Sequence, residues 1–398
     1  MNLIERAESM FPVARNDRIR NLLFLSGMSI LVFIETMKTT LFPESLAFYR
    51  VIKTVALVLV ALKLVLFDTW RLKSALACAL SFAVALLVRY SSTCYTEPFF
   101  WTLLLWGARD IDFRRILKVH FTLVLLIVAA AFVSSLAGWI PYLRFTSEHG
   151  VRNSFGIGYP TDFAAYLFFL TATLCYLMKD RMKWWMYAFV IAFGILILRC
   201  CHTRLDSLCI TGLGFMLMIE KILEPRLRGR MVALRWLLCF SPVILFLLVF
   251  VLSLEYDSSA FWMYRLNGLF SNRLALGHDA FRRYSVNLFG QYIQMHGLGG
   301  SPEGVADYFF IDSSYLYILF QYGIVFTVMV LGVFVISSAE RMDDSVFLIV
   351  LLLVAVNAST AHHLTHIQYN PFFMALFASF KNTSSPLPQR GEGDRLNP

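Results

Sequence analysis

Charge is scarce in this chain. Only 15% of its 398 residues are Asp, Glu, Lys or Arg, against 58% hydrophobic ones and a mean hydropathy of +0.66. Soluble domains carry about a quarter charged residues, so this composition excludes a soluble enzyme and a disordered scaffold. Cysteine is sparse as well. The seven (Cys78, Cys94, Cys175, Cys200, Cys201, Cys209, Cys239) are odd in number and lack CxxC or metal-ligand spacing, which excludes a secreted disulfide domain. Most sit in apolar runs, where a free thiol acts as a small hydrophobe. Walker and nucleophile-elbow signatures are missing, and the GxG at Gly156 and Gly158 has no strand before it, so no nucleotide fold is implied. The apolar residues form unbroken runs instead of alternating with polar ones, which argues against a β-barrel. No cleavable signal peptide is read, because the first twenty residues are polar and hold Arg6, Arg15, Arg18 and Arg20.

What the chain has is long apolar stretches. A spanning helix takes about 20 residues. The sequence predicts an all-α integral membrane protein with twelve spans (ten to thirteen), near 21–37, 51–67, 75–88, 97–108, 119–140, 162–178, 186–198, 206–220, 236–254, 314–336, 345–360 and 371–380. The fourth and the last are short for a full crossing. Twelve crossings bring both termini to one side. With the N-terminus inside, cytoplasmic segments hold 22 Lys and Arg against seven in the short outer loops, which predicts N-in, C-in. The net charge of +9 therefore marks orientation and not a nucleic-acid surface.

Four regions follow: spans one to nine over 1–254, a large outer loop over 255–313, spans ten to twelve over 314–380, and an unstructured cytoplasmic tail over 381–398. The 59-residue outer loop is long for a compact domain and points to a lid or substrate platform. Leu266, Leu269, Phe270, Leu274, Phe281 and Tyr284 recur at helical spacing, which predicts one or two amphipathic helices there.

The predicted outer face collects Arg144, Arg152, Arg199, Arg204, Arg265, Arg273, Arg282 and Arg283, where orientation statistics disfavour basic residues. Two readings stand: interfacial anchors snorkelling to headgroups, or a planar set of donors for a lipid-linked pyrophosphate. Acids are fewer in the short outer loops, Asp162 and Asp206 among them, and the long segment adds six more. Asp312, at the mouth of the tenth span, is either a helix N-cap or a buried carboxylate acting as general base. His149, His202, His278 and His296 are also outside. His362, His363 and His366 form an HHxxH cluster without a carboxylate or cysteine at ligand spacing; polar rim residues, proton transfer and, least favoured, a metal site are its readings. Lys53 and Lys63 read as snorkelling side chains at opposite ends of one span.

Four stretches in order carry a resemblance: RNSFGIGYP (152–160), TRLDSL around Arg204, LNGLFSNRLALGHDAF with YSVNLFGQYI around Arg273 and Gly290, and IDSSYLYILFQYGI from 311. Together they resemble the Wzy-type polysaccharide polymerases of the O-antigen polymerase and ligase superfamily. The resemblance implies a GT-C-like bacterial inner-membrane glycosyltransferase, metal-independent and inverting. It would extend capsule, exopolysaccharide or O-antigen from undecaprenyl-pyrophosphate-linked donor and acceptor, beside a flippase and a chain-length regulator. It further implies Asp312 and Arg273 as catalytic, with Arg152, Arg204, Arg265, Arg282, Tyr159, His296 and Tyr315 binding pyrophosphate or glycan, and no cofactor or metal. The chain departs from the family pattern at Tyr159-Pro160-Thr161 and Ser313, and has no histidine beside Asp312, which favours polymerase over ligase. The rivals are a ligase-like transferase and a twelve-helix transporter, the latter disfavoured because mid-span charge is nearly absent.

Overall fold

The computed structural model describes residues 16–43, 45–92, 96–147, 150–227, 232–297 and 308–380. The expectations for Arg6 and Arg15, Cys94, His149 and the tail lie outside these. The described chain is mostly helical: α1 (Asp17–Met37), α2 (Leu46–Leu66), α3 (Leu72–Ser92), α4 (Glu97–Gly107) and α5 (Phe113–Leu136) come first. After a two-stranded hairpin of β1 (Arg144–Ser147) and β2 (Gly150–Asn153) follow α6 (Pro160–Met178), α7 (Trp184–Cys201) and α8 (Arg204–Leu227). Next are α9 (Val232–Cys239), α10 (Ser241–Leu254), α11 (Phe261–Leu269), α12 (Arg273–Arg283), α13 (Ser314–Ala339) and α14 (Ser345–Ala358). The hairpin is antiparallel, with Phe145 opposite Arg152. It sets a strand ahead of Gly156 that the sequence reading did not have, though in no sheet of the nucleotide-binding kind.

Among the described residues, six helices are long and apolar enough to cross a bilayer: α1, α3, α5, α6, α7 and α13. The pair α9 and α10, bent by 55°, makes a seventh if counted as one span. This is a multi-pass architecture, with fewer such helices than the twelve expected. The helices α2 and α8 form where spans two and eight were read, but with more charge: Arg50, Lys53 and Lys63 on one, Arg204, Asp206, Glu220 and Lys221 on the other. The predicted last span does not form. Its residues make only a five-residue 3-10 helix, Phe372–Leu376, inside an irregular segment.

That irregular segment nonetheless runs the length of the bundle. Its upper part stacks Tyr369 on Tyr166 (4.2 Å), and its lower part stacks Phe373 on Trp101 (5.0 Å) and Phe377 on Trp106 (4.3 Å). It ends where Phe113 N–H donates to the Ser379 carbonyl (2.9 Å). Non-helical backbone at membrane depth needs its polar groups satisfied by protein. Here His120 Nε2 donates to the Ile367 carbonyl (3.0 Å), Asn370 donates to the Leu364 carbonyl and accepts from Phe372 N–H, and Arg341 donates to the Ala375 carbonyl. Too few consecutive backbone partners remain for a helix; side chains take that part instead.

Ion pairs mark one end of the bundle: Lys179–Asp344 (2.5 Å), Arg114–Asp180 (2.8 Å) and Arg235–Asp343 (2.8 Å). The first described helix begins there too, since Arg20 donates to the Asp110 carbonyl and Asp110 N–H to the Phe377 carbonyl. Residues 17 and 379 thus share an end.

Neither lysine of α2 snorkels, contrary to the sequence reading. Lys53 pairs with Glu35 of α1. Lys63 is 0% exposed, with Nζ 2.7 Å from the Asp68 carboxylate and 2.7 Å from the Arg109 carbonyl oxygen it donates to. Both have partners within the bundle, so neither needs to reach the interface. Replacing one partner of a buried pair strands the other charge. Lys63→Met should therefore cost about 3–5 kcal/mol, while Lys63→Met with Asp68→Leu should recover most of it. Thermal unfolding of the purified variants in detergent checks this.

The long segment between α10 and α13 also enters the bundle. Helix α13 is broken at Gly323 (φ 84°, ψ 173°), and the freed N–H groups of Ile324 and Val325 donate to the Asn287 and Leu288 carbonyls (3.0 and 3.1 Å). Residues 287–290 therefore sit in the break.

Candidate active-site cavity

At the end of the bundle away from the ion pairs lies a cavity of about 870 Å³. Arg152, Arg204, Arg273 and Asp312 all line it, together with Asp206, Thr161, His202, His362 and His363. One wall is apolar, made by Leu205 and Leu208 of α8 and Leu245, Leu248 and Leu252 of α10. Leu208 and Leu248 are exposed, so the cavity opens sideways between these helices as well as outward.

Each charged side chain is held by a different element. Strand pairing in the hairpin orients Arg152, whose Nε donates to the Cys201 carbonyl (3.3 Å); its guanidinium also lies over the Tyr159 ring, 5.4 Å from the centroid. Arg204 is the first residue of α8, which leads it to the cavity rim.

Arg273 opens α12. The turn before it places Ser271 and Asn272 at positive φ (51° and 66°), a region that costs a non-glycine residue energy. Asn267 offsets that strain: its Oδ1 accepts from the Leu274 and Ala275 N–H groups (both 3.1 Å), capping α12 from across the turn. The Arg273 guanidinium is then anchored from below by the Thr360 carbonyl (Nε donating, 3.3 Å) and the Ser271 carbonyl (Nη1 donating, 2.9 Å).

Arg273 Nη2 lies 3.5 Å from Asp312 Oδ1. Asp312 is not the N-cap of α13; Ser313 holds that position, without a side-chain capping bond. Its carboxylate is 13% exposed, and Oδ2 is buried with no hydrogen-bond partner. Burial pushes the Asp312 carboxyl above the usual carboxylate range, against the pull of the neighbouring guanidinium. An acceptor in this state, at a cavity wall, can take a proton from a hydroxyl.

The other expected binding residues lie elsewhere. Tyr159 stands behind Arg152, packed on Phe145 at 4.8 Å. Tyr315 is 1% exposed and donates to the Ala355 carbonyl (2.8 Å), so its hydroxyl is used up within the helix packing. His296 bridges to Phe309 and meets Gln294 Nε2 (3.1 Å). Arg265 lies over the Phe261 ring, and Arg282 is in the last turn of α12. None of these five lines the cavity; α11 and α12 turn Arg265 and Arg282 toward other faces.

Two contributors were invisible or underweighted in the sequence. Asn357 donates to Asp206 Oδ1 (2.8 Å), fixing that carboxylate at the wall. As a lone amide in the otherwise apolar run SVFLIVLLLVAVNA it carried a readable signal. The Thr360 carbonyl that anchors Arg273 carried none. Comparisons with protein-family models, with curated proteins and with solved structures each found no match.

Proposed function

We propose that the protein polymerises lipid-linked oligosaccharide repeat units, transferring a glycan from an undecaprenyl-pyrophosphate donor to the non-reducing end of a lipid-linked acceptor. The supporting observation is the convergence of Arg152, Arg204 and Arg273 with Asp312 on one cavity that has an apolar lateral wall. A glycosyl diphosphate brings its own leaving group. Catalysis then needs positive charge where the diphosphate departs and one oriented hydroxyl.

Guanidinium forks suit phosphate oxygens. The leucine wall between α8 and α10 suits the carrier's polyprenyl chain. In the reaction the acceptor oxygen bonds to the anomeric carbon while the bond to the diphosphate oxygen breaks. The hydroxyl proton passes to the Asp312 carboxylate, and the carrier diphosphate leaves against the arginines. One displacement inverts the anomeric centre. The arrangement belongs on the extracytoplasmic side of a bacterial inner membrane, in line with the N-in, C-in charge distribution.

The break in α13, like the bend between α9 and α10, is a feature shared with transporters, whose discontinuous helices expose backbone to an ion or substrate. In this chain the freed N–H groups already bond to Asn287 and Leu288, which weighs against that reading. Proteoliposomes loaded with undecaprenyl-pyrophosphate-linked repeat units test the proposal. A ladder of polymer with release of the carrier diphosphate is expected. Movement of the unaltered lipid-linked unit across the bilayer without polymer overturns it in favour of transport.

The raised Asp312 carboxyl sets a pH dependence. Below its folded pKa the group is protonated and cannot accept the hydroxyl proton, so the rate should fall as pH falls. The midpoint should lie above that of a free carboxylate, about 3.9. In Asp312→Asn the remaining rate should lack that acid limb; a pH–rate profile of both proteins checks it.

A further inference from the structure

Beyond α14 the chain turns through 361–370, and three imidazoles meet there. The rings of His362, His363 and His366 have centroids 4.5, 5.1 and 6.2 Å apart, and one ring nitrogen from each lies within 4.8 Å of the others. Tyr369 packs on His363 at 4.1 Å, and Tyr317 packs on His362 and His366 at 6.1 and 5.9 Å, fencing the group with aromatic faces. His363 is 2% exposed. Its Nδ1 is buried with no hydrogen-bond partner, while its Nε2 lies 3.7 Å from Asp162 Oδ1. A buried ring nitrogen left unpaired costs free energy that a bound ligand can recover.

We propose that His362, His363 and His366 form a binding site for one divalent transition-metal ion of the zinc type, with an open coordination position facing the arginine-lined cavity. Three neutral imidazoles are the donor set of zinc, cobalt, nickel or copper, and a poor one for magnesium or calcium. A tetrahedral ion with Zn–N bonds of about 2.0–2.1 Å needs nitrogens about 3.3 Å apart. From a spread of at most 4.8 Å, modest ring rotations close that gap.

Asp162 supplies the outer partner that metal-bound histidines usually have. With Nε2–H oriented toward that carboxylate, Nδ1 of His363 presents its lone pair to the ion, which accounts for the atom that otherwise lacks a partner. No acid stands beside HHxxH in the sequence; the fold brings one in from the first turn of α6. His362 and His363 both line the cavity, so an ion held here offers its fourth position to water or to an anionic oxygen in that space. The site stands on its own geometry, whatever reaction the cavity performs.

The test uses the full-length protein in detergent, stripped with chelator and reloaded with cobalt(II). Metal content near one ion per chain, with the strong visible absorption of four-coordinate cobalt, is expected. It should be lost in His362→Ala/His366→Ala and kept in His278→Ala, whose ring bonds to the Ser253 and Leu254 carbonyls outside the cluster. Folded wild-type protein that takes up no cobalt, or that shows only the weak spectrum of the hydrated ion, overturns the proposal without reference to any variant. So does equal loss in His278→Ala and in the cluster variant.

Discussion

Arg273→Ala is expected to abolish polymer while the protein stays inserted and the single repeat unit accumulates on its carrier. Removing one preorganised charge from a developing anion costs about 10²–10³ in rate. Here the loss should reach at least the upper part of that range, because two functions fall together. The guanidinium faces the cavity, and it also pairs with Asp312 across 3.5 Å. Without it the Asp312 carboxyl, already buried and raised, loses the cation that favours its charged form, so a smaller fraction can act as base at neutral pH. Arg273→Lys separates the two effects. It keeps the charge beside Asp312, but it cannot hold the Thr360 and Ser271 carbonyls with one planar group while presenting donors to a diphosphate. Intermediate turnover with an acid limb near the wild-type position is the expected result for Lys. Gel profiles of the glycan, with extraction of lipid-linked units, report both variants; normal chain lengths in Arg273→Ala reject the assigned role.

The readable part of this protein was its solvent. Unbroken apolar runs predicted most of the helices, because a long segment in lipid has to bond its backbone internally and helices do so locally. The same logic misled at 371–380. Those residues are apolar because they are enclosed by protein, and the Ala375, Phe377 and Ser379 carbonyls accept from Arg341, Asp110 N–H and Phe113 N–H, partners far away in sequence. For the cavity, the surplus of outer arginines was informative, and three of the named ones converge. Which three was carried by the ordered short motifs, not by composition. Arg265 and Arg282 have the same chemistry and nearly the same sequence neighbourhood as Arg273, yet helix phase sends them elsewhere. Asp312 looked like a cap, since Asp before two serines begins many helices; in the fold that position belongs to Ser313. The Asp162–His363 approach joins residues on separate elements, so no spacing rule could have found it.

The clearest structural commitment is the pair of glycines where the segment between α12 and α13 enters the break in α13. Gly323, at φ 84° and ψ 173°, occupies a region open in practice to glycine alone. Any Cβ there would overlap the Leu288 carbonyl oxygen and the Gly290 amide, and one on Gly290 (φ 77°) would overlap the Gln321 carbonyl oxygen. All of these are backbone atoms, held by the Ile324–Asn287 and Val325–Leu288 hydrogen bonds, so no side-chain rotation relieves the overlap. The backbone conformation alone costs about 1–3 kcal/mol for a residue with a Cβ. Adding the displaced loop, Gly323→Ala and Gly290→Ala should each destabilise by roughly 3 kcal/mol or more, in the range of severe single substitutions. Gly332 supplies the internal control. It lies in the same helix with open space around its Cβ position, so Gly332→Ala should be neutral or raise stability by about 0.5–1 kcal/mol. Thermal unfolding and limited proteolysis of the three variants in detergent would read the difference, with new cleavage in 284–297 expected for the first two only. Equal stability of Gly323→Ala and Gly332→Ala would mean that this segment does not sit in the helix break. Because Asp312 and Arg273 flank that segment at its two ends, loosening it should also lower turnover in the two destabilised variants, at temperatures where they remain folded, and leave Gly332→Ala at the wild-type rate.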